Sequence, residues 1–300
     1  MRVQEATVGH LDVFLRSLSS ASVRAQCRVV LAGMMKLAAQ HDAIDHNPVR
    51  ETTKARRDHV QVRALTVADF HRLRARIAAW AGGNTSGPKR GTDLPDMFDV
   101  MAGTGARIGE VLALRWDDVQ FSSGRGKART PATATIAGTV IDDGTRQPFP
   151  KSHSSARTMV LPDFAEAALR RQRGRRLPSE DGLVFPSRTG GPRTAANTRR
   201  QLRQARRTVP AGDGGPADEF DWVSPHVLRK TAATLIEGEM GMESAARQLG
   251  HASPEVTRTH YVARPEVGPD VRNALDVLAP VASVSDGFRG GDARKRPSTG

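Results

Sequence analysis

The chain of 300 residues has one cysteine, Cys27, one tyrosine, Tyr261, and only 4% aromatic residues. A single cysteine forms no intrachain disulfide, which fits a reducing compartment, and it excludes a cysteine-ligated zinc site. No apolar run approaches the ~18 residues that a membrane-spanning helix needs. Residues 1–18 carry scattered charges and no apolar signal core. We therefore expect a soluble, cytoplasmic protein without a membrane segment.

Positive charge is what the chain has in excess. Thirty-eight arginines and seven lysines stand against 32 acidic residues, which gives a formal net charge of +13. Such a surplus favours a polyanionic partner, and nucleic acid is the first expectation. Membrane-binding proteins and arginine-rich compositions that arise from codon bias share this signal. The length corresponds to one large or two modest domains with a sizeable core.

Apolar spacing predicts that the first part of the chain is a separate helical domain. Residues 1–48 show helical periodicity that ends at the breaker cluster Asp45-His46-Asn47-Pro48. A short basic link follows, so we place the domain boundary near residue 58. The predicted core-facing side of this region consists of Val23, Cys27, Val30, Leu31, Met34, Leu37 and Ala38.

The second domain, residues 59–282, is predicted to be mostly helical with a small antiparallel β-sheet. β-rich composition marks residues 133–141 and 157–161 as strands, with a turn at residues 142–145. Lys151 is expected on the loop or hairpin before the last strand. The first helix is predicted to begin at Thr66, and further helices are predicted at 96–102, 108–114, 163–173 and 194–207.

The last part of this domain contains several signals for the start or the end of a helix. Ser224 and Ser253 each precede a proline, which is a typical helix start, and Gly250 ends a short helix that begins at Glu243. The helix that starts at Ser253 is expected to carry Tyr261. Residues 283–300 are rich in Gly, Arg and Lys and are predicted to be a disordered basic tail. The helix after Ser224 is predicted to face the core with Leu228, Ala232, Leu235 and Ile236.

One set of polar residues has the chemistry of phosphate transesterification, which needs positive donors for the non-bridging oxygens, a nucleophile and a general acid. His226 and Arg229 share a helix face near the positive end of the helix dipole. Arg107 begins a helix after Gly-Thr-Gly-Ala, and His251 precedes Tyr261 by ten residues. Each residue alone is more often a solvated charge, a helix cap or a buried phenol. Their order along the chain, together with the helix starts and ends beside them, favours a single site that contains them all.

Four segments resemble the tyrosine recombinase (phage integrase) family. The segment GTGARIGEVLALRWDDV at 103–119 resembles the first arginine box of that family. The segment PKSHSSARTMVLP at 150–162 resembles its β-hairpin lysine segment. SPHVLRKTAAT at 224–234 resembles its His-x-x-Arg box, and LGHASPEVTRTHYV at 249–262 resembles its nucleophile box. The resemblance covers residues 60–280.

The resemblance implies the central chemical roles. Arg107 and Arg229 would clamp the scissile phosphate of a DNA strand. Tyr261 would attack it and leave a 3′-phosphotyrosyl link, while Lys151 would protonate the departing 5′ oxygen. Ligation would reverse these steps. No metal, ATP or other cofactor is implied, because the bond energy is kept in the phosphotyrosine.

Four further residues would support this chemistry. The resemblance implies that His226 assists proton transfer, that His251 hydrogen-bonds a phosphate oxygen and that Glu110 braces the site. Lys230 stands where many family members have a second histidine, and it follows His226 by four residues.

The resemblance also implies architecture and partners. Residues 1–58 would be a helical, SAM-like core-binding domain, shorter than is usual in the family, and residues 59–282 the tyrosine recombinase catalytic domain. The partner would be double-stranded DNA at attachment sites of a mobile element. A homotetramer would act on paired sites, with a DNA-bending or excision factor as an optional accessory. Two alternatives stay open: a type IB topoisomerase-like enzyme, and a truncated DNA-binding protein without turnover.

Overall fold

Helices make up most of the structure and accompany small antiparallel sheets, as the sequence predicts. The computed structural model describes residues 2–54, 61–84, 89–124, 126–149, 156–251 and 253–262. All of these belong to one compact unit, Met1–Ala263. None of the described helices is long and apolar enough to cross a membrane. The domain boundaries near residues 58 and 282 and the basic tail lie outside the described residues and stay predictions.

The helices and strands have the following bounds, and β1 and β4 were not predicted from the sequence. The α-helices are α1 (Val8–Ser17), α2 (Ala21–Gln40), α3 (Val67–Trp80), α4 (Leu94–Thr104), α5 (Ile108–Leu112), α6 (Asp163–Gly174), α7 (Ala195–Ala205), α8 (Pro225–Leu249) and α9 (Pro254–His260). The strands are β1 (Val119–Gln120), β2 (Thr133–Ile136), β3 (Thr139–Val140), β4 (Arg146–Gln147) and β5 (Arg157–Val160).

The predicted strand at 133–141 is in fact two strands that belong to different sheets. β2 lies between β1 and β5 in an antiparallel sheet, and β3 forms a hairpin with β4 across the predicted turn. Gly138 separates β2 from β3. A Cβ atom at this position would lie 2.6 Å from the carbonyl oxygen of Gln147, so the close approach of β4 requires glycine here.

Helix α4 lies at the centre of the main core and sets the position of the residues that follow it. Met97, Phe98 and Met101 are almost completely buried, and both α6 and α8 pack against this helix. Gly105 ends α4 in the left-handed conformation with φ of 63°. A Cβ at Gly105 would lie 2.8 Å from Cδ2 of Leu249, so a side chain there would displace the buried Leu249 side chain. This contact brings Arg107 next to α8.

The predicted core face of the N-terminal helix is wrong for four of its seven residues, Val23 among them, whereas Leu31 packs against the core cluster as predicted. Val30, Met34 and Leu37 of α2 are 62%, 60% and 57% exposed, whereas Met35 is buried. Helix α2 packs on α1 and on the short 3₁₀ turn Pro48–Glu51, around a small cluster of Ala6, Leu11, Met35 and Val49. Two short partners cover only a narrow strip of a 20-residue helix. Periodicity identifies an apolar face but does not determine what covers it.

Helix α8 begins and ends where the sequence predicts, but one residue that was predicted to face the core is exposed. Pro225 begins the helix after the extended Ser224, although the Ser224 side chain makes no capping hydrogen bond. Gly241, with φ of 81°, divides α8 at the predicted gap between two helices, and Gly250 ends it. The prediction that Leu235 faces the core is wrong, because this side chain is 50% exposed. Burial is concentrated in the first turns, Val227 to Ala233, where α8 contacts α4.

A buried arginine anchors the loop at residues 210–219 to α3. Arg76 is fully buried, and its Nε donates to Oδ2 of Asp213 at 2.6 Å. Its Nη2 donates to Oε2 of Glu219 at 3.1 Å, and its Nη1 donates to the Pro216 carbonyl at 3.0 Å. A buried charge with this many partners is costly to remove, since the partners are left unpaired. The loop is therefore an integral part of the fold.

We expect Arg76→Ala to lower the free energy of unfolding by about 3–5 kcal/mol, because it leaves the buried Asp213 with one guanidinium partner fewer. Chemical denaturation followed by circular dichroism measures this loss. Arg247→Ala is the matched control, since Arg247 forms an exposed pair with Glu243 in the same chain and such pairs contribute little. Equal effects of the two variants would contradict the anchoring role of Arg76.

Candidate active site

Arg107 lies at the junction of α4 and α5, where its backbone and side chain are both fixed by one carboxylate. The Arg107 amide donates to Oε2 of Glu110 at 2.9 Å, and its Nη1 donates to Oε1 at 2.8 Å. The extended Arg107 is the N-cap residue of α5, as the sequence predicts for a residue that begins its helix. Its side chain is 35% exposed. Glu110 therefore holds the Arg107 guanidinium in place, while part of the side chain stays accessible to a ligand.

Glu110 is buried between two arginines. In addition to Arg107, it accepts a hydrogen bond of 3.0 Å from Nη2 of Arg157, whose Nε donates to the Gln248 carbonyl at 2.8 Å. Burial opposes the charged carboxylate, but the positive Arg157 and Arg107 outweigh it and lower the pKa of Glu110. Arg157 thus connects β5, α5 and the end of α8. Sequence reasoning missed it, and its only signal was its place in the lysine segment.

Arg229 is buried in the second turn of α8 and is held by backbone carbonyls. Its Nη1 donates to Gly105 O and its Nη2 donates to Leu249 O, both at 2.7 Å. Its Nε is buried and has no hydrogen-bond partner among the described residues. Burial and the nearby Arg107 lower the pKa of Arg229, although a guanidinium stays charged at neutral pH. One buried, charged donor is thus left free.

His251 connects Arg229 to the turn that carries Tyr261. Its Nε2 lies 2.9 Å from Nη2 of Arg229, and its Nδ1 lies 2.7 Å from Oγ1 of Thr257. Since a guanidinium can only donate, Nε2 accepts and Nδ1–H donates to Thr257. Burial, Arg229 and Arg107 lower the pKa of His251 to about 4. The ring is therefore neutral at pH 7 and its tautomer is fixed.

Tyr261 lies one residue beyond the end of α9, which corrects the prediction that the helix carries it. It is the C-cap residue, and its amide donates to the Thr257 carbonyl at 2.9 Å. Its ring centroid is 4.4 Å from that of His251 and 5.1 Å from that of His226. Cζ of Arg229 lies 5.2 Å from the Tyr261 ring centroid. The phenol is thus surrounded by the predicted site residues.

His226 lies in the first turn of α8, beside three positive groups. Desolvation and the charges of Lys230, Arg229 and Arg107 lower its pKa to about 4. At neutral pH this imidazole is therefore uncharged, and one of its nitrogens is free to accept a proton. Lys230 is near enough to contribute to this shift, which places it beside the site. Lys151 lies outside the described residues.

A cavity of about 220 Å³ opens between the starts of α5 and α8. Arg107, His226 and Arg229 line it together with Arg199 of α7. Arg199 was not identified from the sequence, although arginines at 199, 200 and 203 in a predicted helix are a visible signal. Arg199 has no hydrogen-bond or ion-pair partner in the part of the chain that the structure describes. Three guanidinium groups around one cavity form a site for an oxyanion.

Comparison with known proteins gives this arrangement a context. The sequence model of the phage integrase family matches residues 88–266. An integrase of Streptomyces ambofaciens is 32% identical over 215 residues, which cover 68% of this chain and 51% of that protein. A tyrosine recombinase XerC-like protein of Caldanaerobacter subterraneus subsp. tengcongensis is 28% identical over 191 residues, 57% of this chain and 46% of the relative. The chain spans about half the length of these relatives.

Solved structures share the fold. The Tn1549 transposon integrase in complex with a circular intermediate DNA has a TM-score of 0.67 at 18% identity, covering 92% of this chain and 86% of that chain. A lambda integrase tetramer bound to a Holliday junction has a TM-score of 0.59 at 17% identity, covering 84% and 66%.

We expect Glu110→Gln to lower the free energy of unfolding at pH 7 by about 1.5–3 kcal/mol, the worth of a hydrogen bond to a charged group. The folded-state pKa of Glu110 is lowered from its ordinary value of 4.5. Its charge therefore stabilises the fold above that value, and the stabilisation is lost as the pH falls through the folded-state pKa. The difference between variant and wild type should shrink in urea titrations taken from pH 7 to pH 3.

The exposed Glu239 provides the control. Glu239→Gln should leave the free energy of unfolding unchanged throughout this pH range. A pH-independent cost of Glu110→Gln would contradict an electrostatic role of the carboxylate.

Proposed function

Because the chain belongs to the phage integrase family, we propose that it is a site-specific DNA recombinase. It cleaves and rejoins DNA strands through a 3′-phosphotyrosine intermediate and needs neither metal nor ATP. The biological role that this activity supports is the integration of a mobile element. Residues 1–58 act in this proposal as the core-binding domain, and residues 59–282 as the catalytic domain.

The observation that carries this proposal is the free donor of Arg229. A buried donor without a partner is costly, and a charged one is especially so. The Nε of Arg229 is such a donor, while Nη1 and Nη2 are already used to hold its position. Arg229 and Arg107 line the same cavity. The non-bridging oxygens of a phosphodiester would satisfy both guanidinium groups and reduce their mutual repulsion.

The remaining residues take the roles of a phosphoryl transfer. The Tyr261 oxygen attacks phosphorus, its proton passes to a base, and the bond to the 5′ oxygen breaks. The neutral His226 is the base in this scheme, and a phosphodiester in the cavity raises its pKa, since an anion favours the charged imidazolium. Lys151 protonates the leaving oxygen. In the reverse step, a 5′ hydroxyl attacks the phosphotyrosine and restores the phenol.

Two residues keep this arrangement in place. His251 orients the guanidinium of Arg229 from its fixed tautomer, and a hydrogen bond from His251 to the bound phosphate requires Nε2 to exchange Arg229 for the phosphate and to carry the proton. Glu110 orients Arg107 and balances part of the positive charge. Lys230 adds positive charge beside His226.

The partner in this proposal is double-stranded DNA at attachment sites. The solved relatives include an integrase with a circular intermediate DNA and an integrase tetramer on a Holliday junction. By analogy, this chain acts as a homotetramer on paired sites, with an accessory DNA-bending or excision factor as an optional further partner. The surplus of positive charge supports a polyanionic partner.

We expect Tyr261→Phe to abolish covalent attachment to DNA while binding is retained, because only one oxygen is removed. Wild type and variant are incubated in EDTA with nicked duplexes that carry candidate attachment sequences, and adducts are resolved on a denaturing gel. An adduct that persists in the variant would contradict the nucleophile. Binding without any adduct in the wild type would favour a DNA-binding protein without turnover. Adduct formation without strand exchange between two sites would favour a topoisomerase-like enzyme.

We expect Arg229→Ala to reduce the rate of adduct formation by more than ~100-fold, since loss of one transition-state donor typically costs this much. Arg229→Lys restores the charge without the planar fork and should recover only part of the rate. The exposed Arg176→Ala serves as the control for loss of net charge. Thermal unfolding establishes that each variant is folded. A loss below tenfold in folded Arg229→Ala would argue against a role in phosphate binding.

A further inference from the structure

A second basic cavity, distinct from that of Arg107, lies between the end of α3 and the last turns of α7. It has a volume of about 660 Å³, and we call it the arginine cleft. Gln204 and Thr208 complete its lining, which includes no carboxylate. Its charged and aromatic lining consists of Trp80, Arg90, Arg200, Arg203, Arg206 and Arg207.

Donors in the arginine cleft are left without acceptors. Neither Arg200 nor Arg203 has a hydrogen-bond or ion-pair partner within the described residues. Both side chains are exposed, so a ligand in the cleft can reach them. A guanidinium can only donate, and the ligand that suits it is an acceptor with several oxygens.

The other arginines of the cleft are held in place. Cζ of Arg90 lies 4.8 Å from the ring centroid of Trp80, and its Nη1 donates to the Trp80 carbonyl at 3.3 Å. Arg206 and Arg207 share the single carboxylate of Asp221. Burial, together with the charges of Arg207 and Arg203, lowers the pKa of Arg206 despite the opposing effect of Asp221. Five guanidinium groups with one shared carboxylate create a strongly positive potential.

Helix α7 connects the arginine cleft to the candidate active site. Arg199 lines the active-site cavity, whereas Arg200 and Arg203 line the cleft. At 1.5 Å per residue, Arg199 and Arg203 are about 6 Å apart along the helix. Successive phosphates of one DNA strand follow every ~3.4 Å along the duplex axis. A strand that runs alongside α7 from the active site therefore has further phosphates within reach of Arg200 and Arg203.

We propose that the arginine cleft binds a backbone phosphate of the DNA, a few nucleotides from the phosphate bound by Arg107 and Arg229. This proposal rests on the proposed function, since it takes the ligand of both cavities to be one DNA molecule. The cleft contributes binding and register, and it takes no part in bond cleavage.

The test is the salt dependence of binding to a fluorescein-labelled 30-bp duplex of mixed sequence, measured by anisotropy in sodium chloride. Each phosphate contact contributes about 0.9 to the slope of log affinity against log salt concentration. The double variant Arg200→Ala/Arg203→Ala should therefore bind with a slope that is shallower by about 0.9. Both side chains are exposed, so folding is expected to be retained, and circular dichroism establishes it.

The matched control is Arg176→Ala/Arg188→Ala, which removes the same charge from exposed arginines outside both cavities. A shallower slope for the cleft variant alone supports the proposal. Equal slopes for the cleft variant and the control would overturn it, because the loss would then reflect net charge.

A free phosphate ion is the other source of the same chemistry. Thermal unfolding is measured with inorganic phosphate against chloride at equal ionic strength. A phosphate-dependent rise in Tm that Arg200→Ala/Arg203→Ala abolishes, with an unchanged DNA slope, would overturn the DNA assignment. Equilibrium binding does not require covalent chemistry, so a protein that forms no adduct but shows the altered slope would disprove the proposed function and leave this inference standing.

Discussion

The hydrogen bonds of the buried Arg229 guanidinium are the interactions on which the rest of the candidate active site depends. It donates to the carbonyl of Gly105 at the end of α4 and to that of Leu249 at the end of α8, and it contacts His251. Three segments distant in sequence therefore meet at one charge. The left-handed Gly105 allows this approach, since any side chain there would collide with Leu249. Without this junction, neither Arg107 nor Tyr261 would have a defined position relative to the other.

Electrostatic balance shapes the surroundings of this junction. Arg107, Arg157 and Arg229 are close together, and Glu110 is the buried carboxylate that offsets part of their charge. Burial and the same positive field lower the pKa of His226 and His251, so both rings are neutral near pH 7. A neutral imidazole between arginines can accept a hydrogen bond without adding repulsion. The site is thus prepared for an anion rather than for a cation.

Helix α7 extends the positive surface away from this centre. Arg199 faces one cavity, and Arg200 and Arg203 face another, so a single helix presents guanidinium groups to both. The N-terminal helices are tied together differently, around the small cluster of Leu11, Met35 and Val49. Much of the apolar side of α2 is consequently exposed. The two parts of the unit differ in this way because only the C-terminal part has a large core.

The sequence by itself determined several helix starts and ends and the identity of most candidate residues. Caps, prolines and glycines act locally, so Thr66 and Gly250 could be interpreted without the fold. Only the tertiary structure decided which helix faces are covered, as Met34 and Leu235 illustrate. Burial depends on the elements that pack against a helix, and the spacing of apolar residues does not identify them. It also brought Arg157 and Arg199 to the site from β5 and α7. These contacts join residues far apart in the chain, and no local pattern encodes such distances.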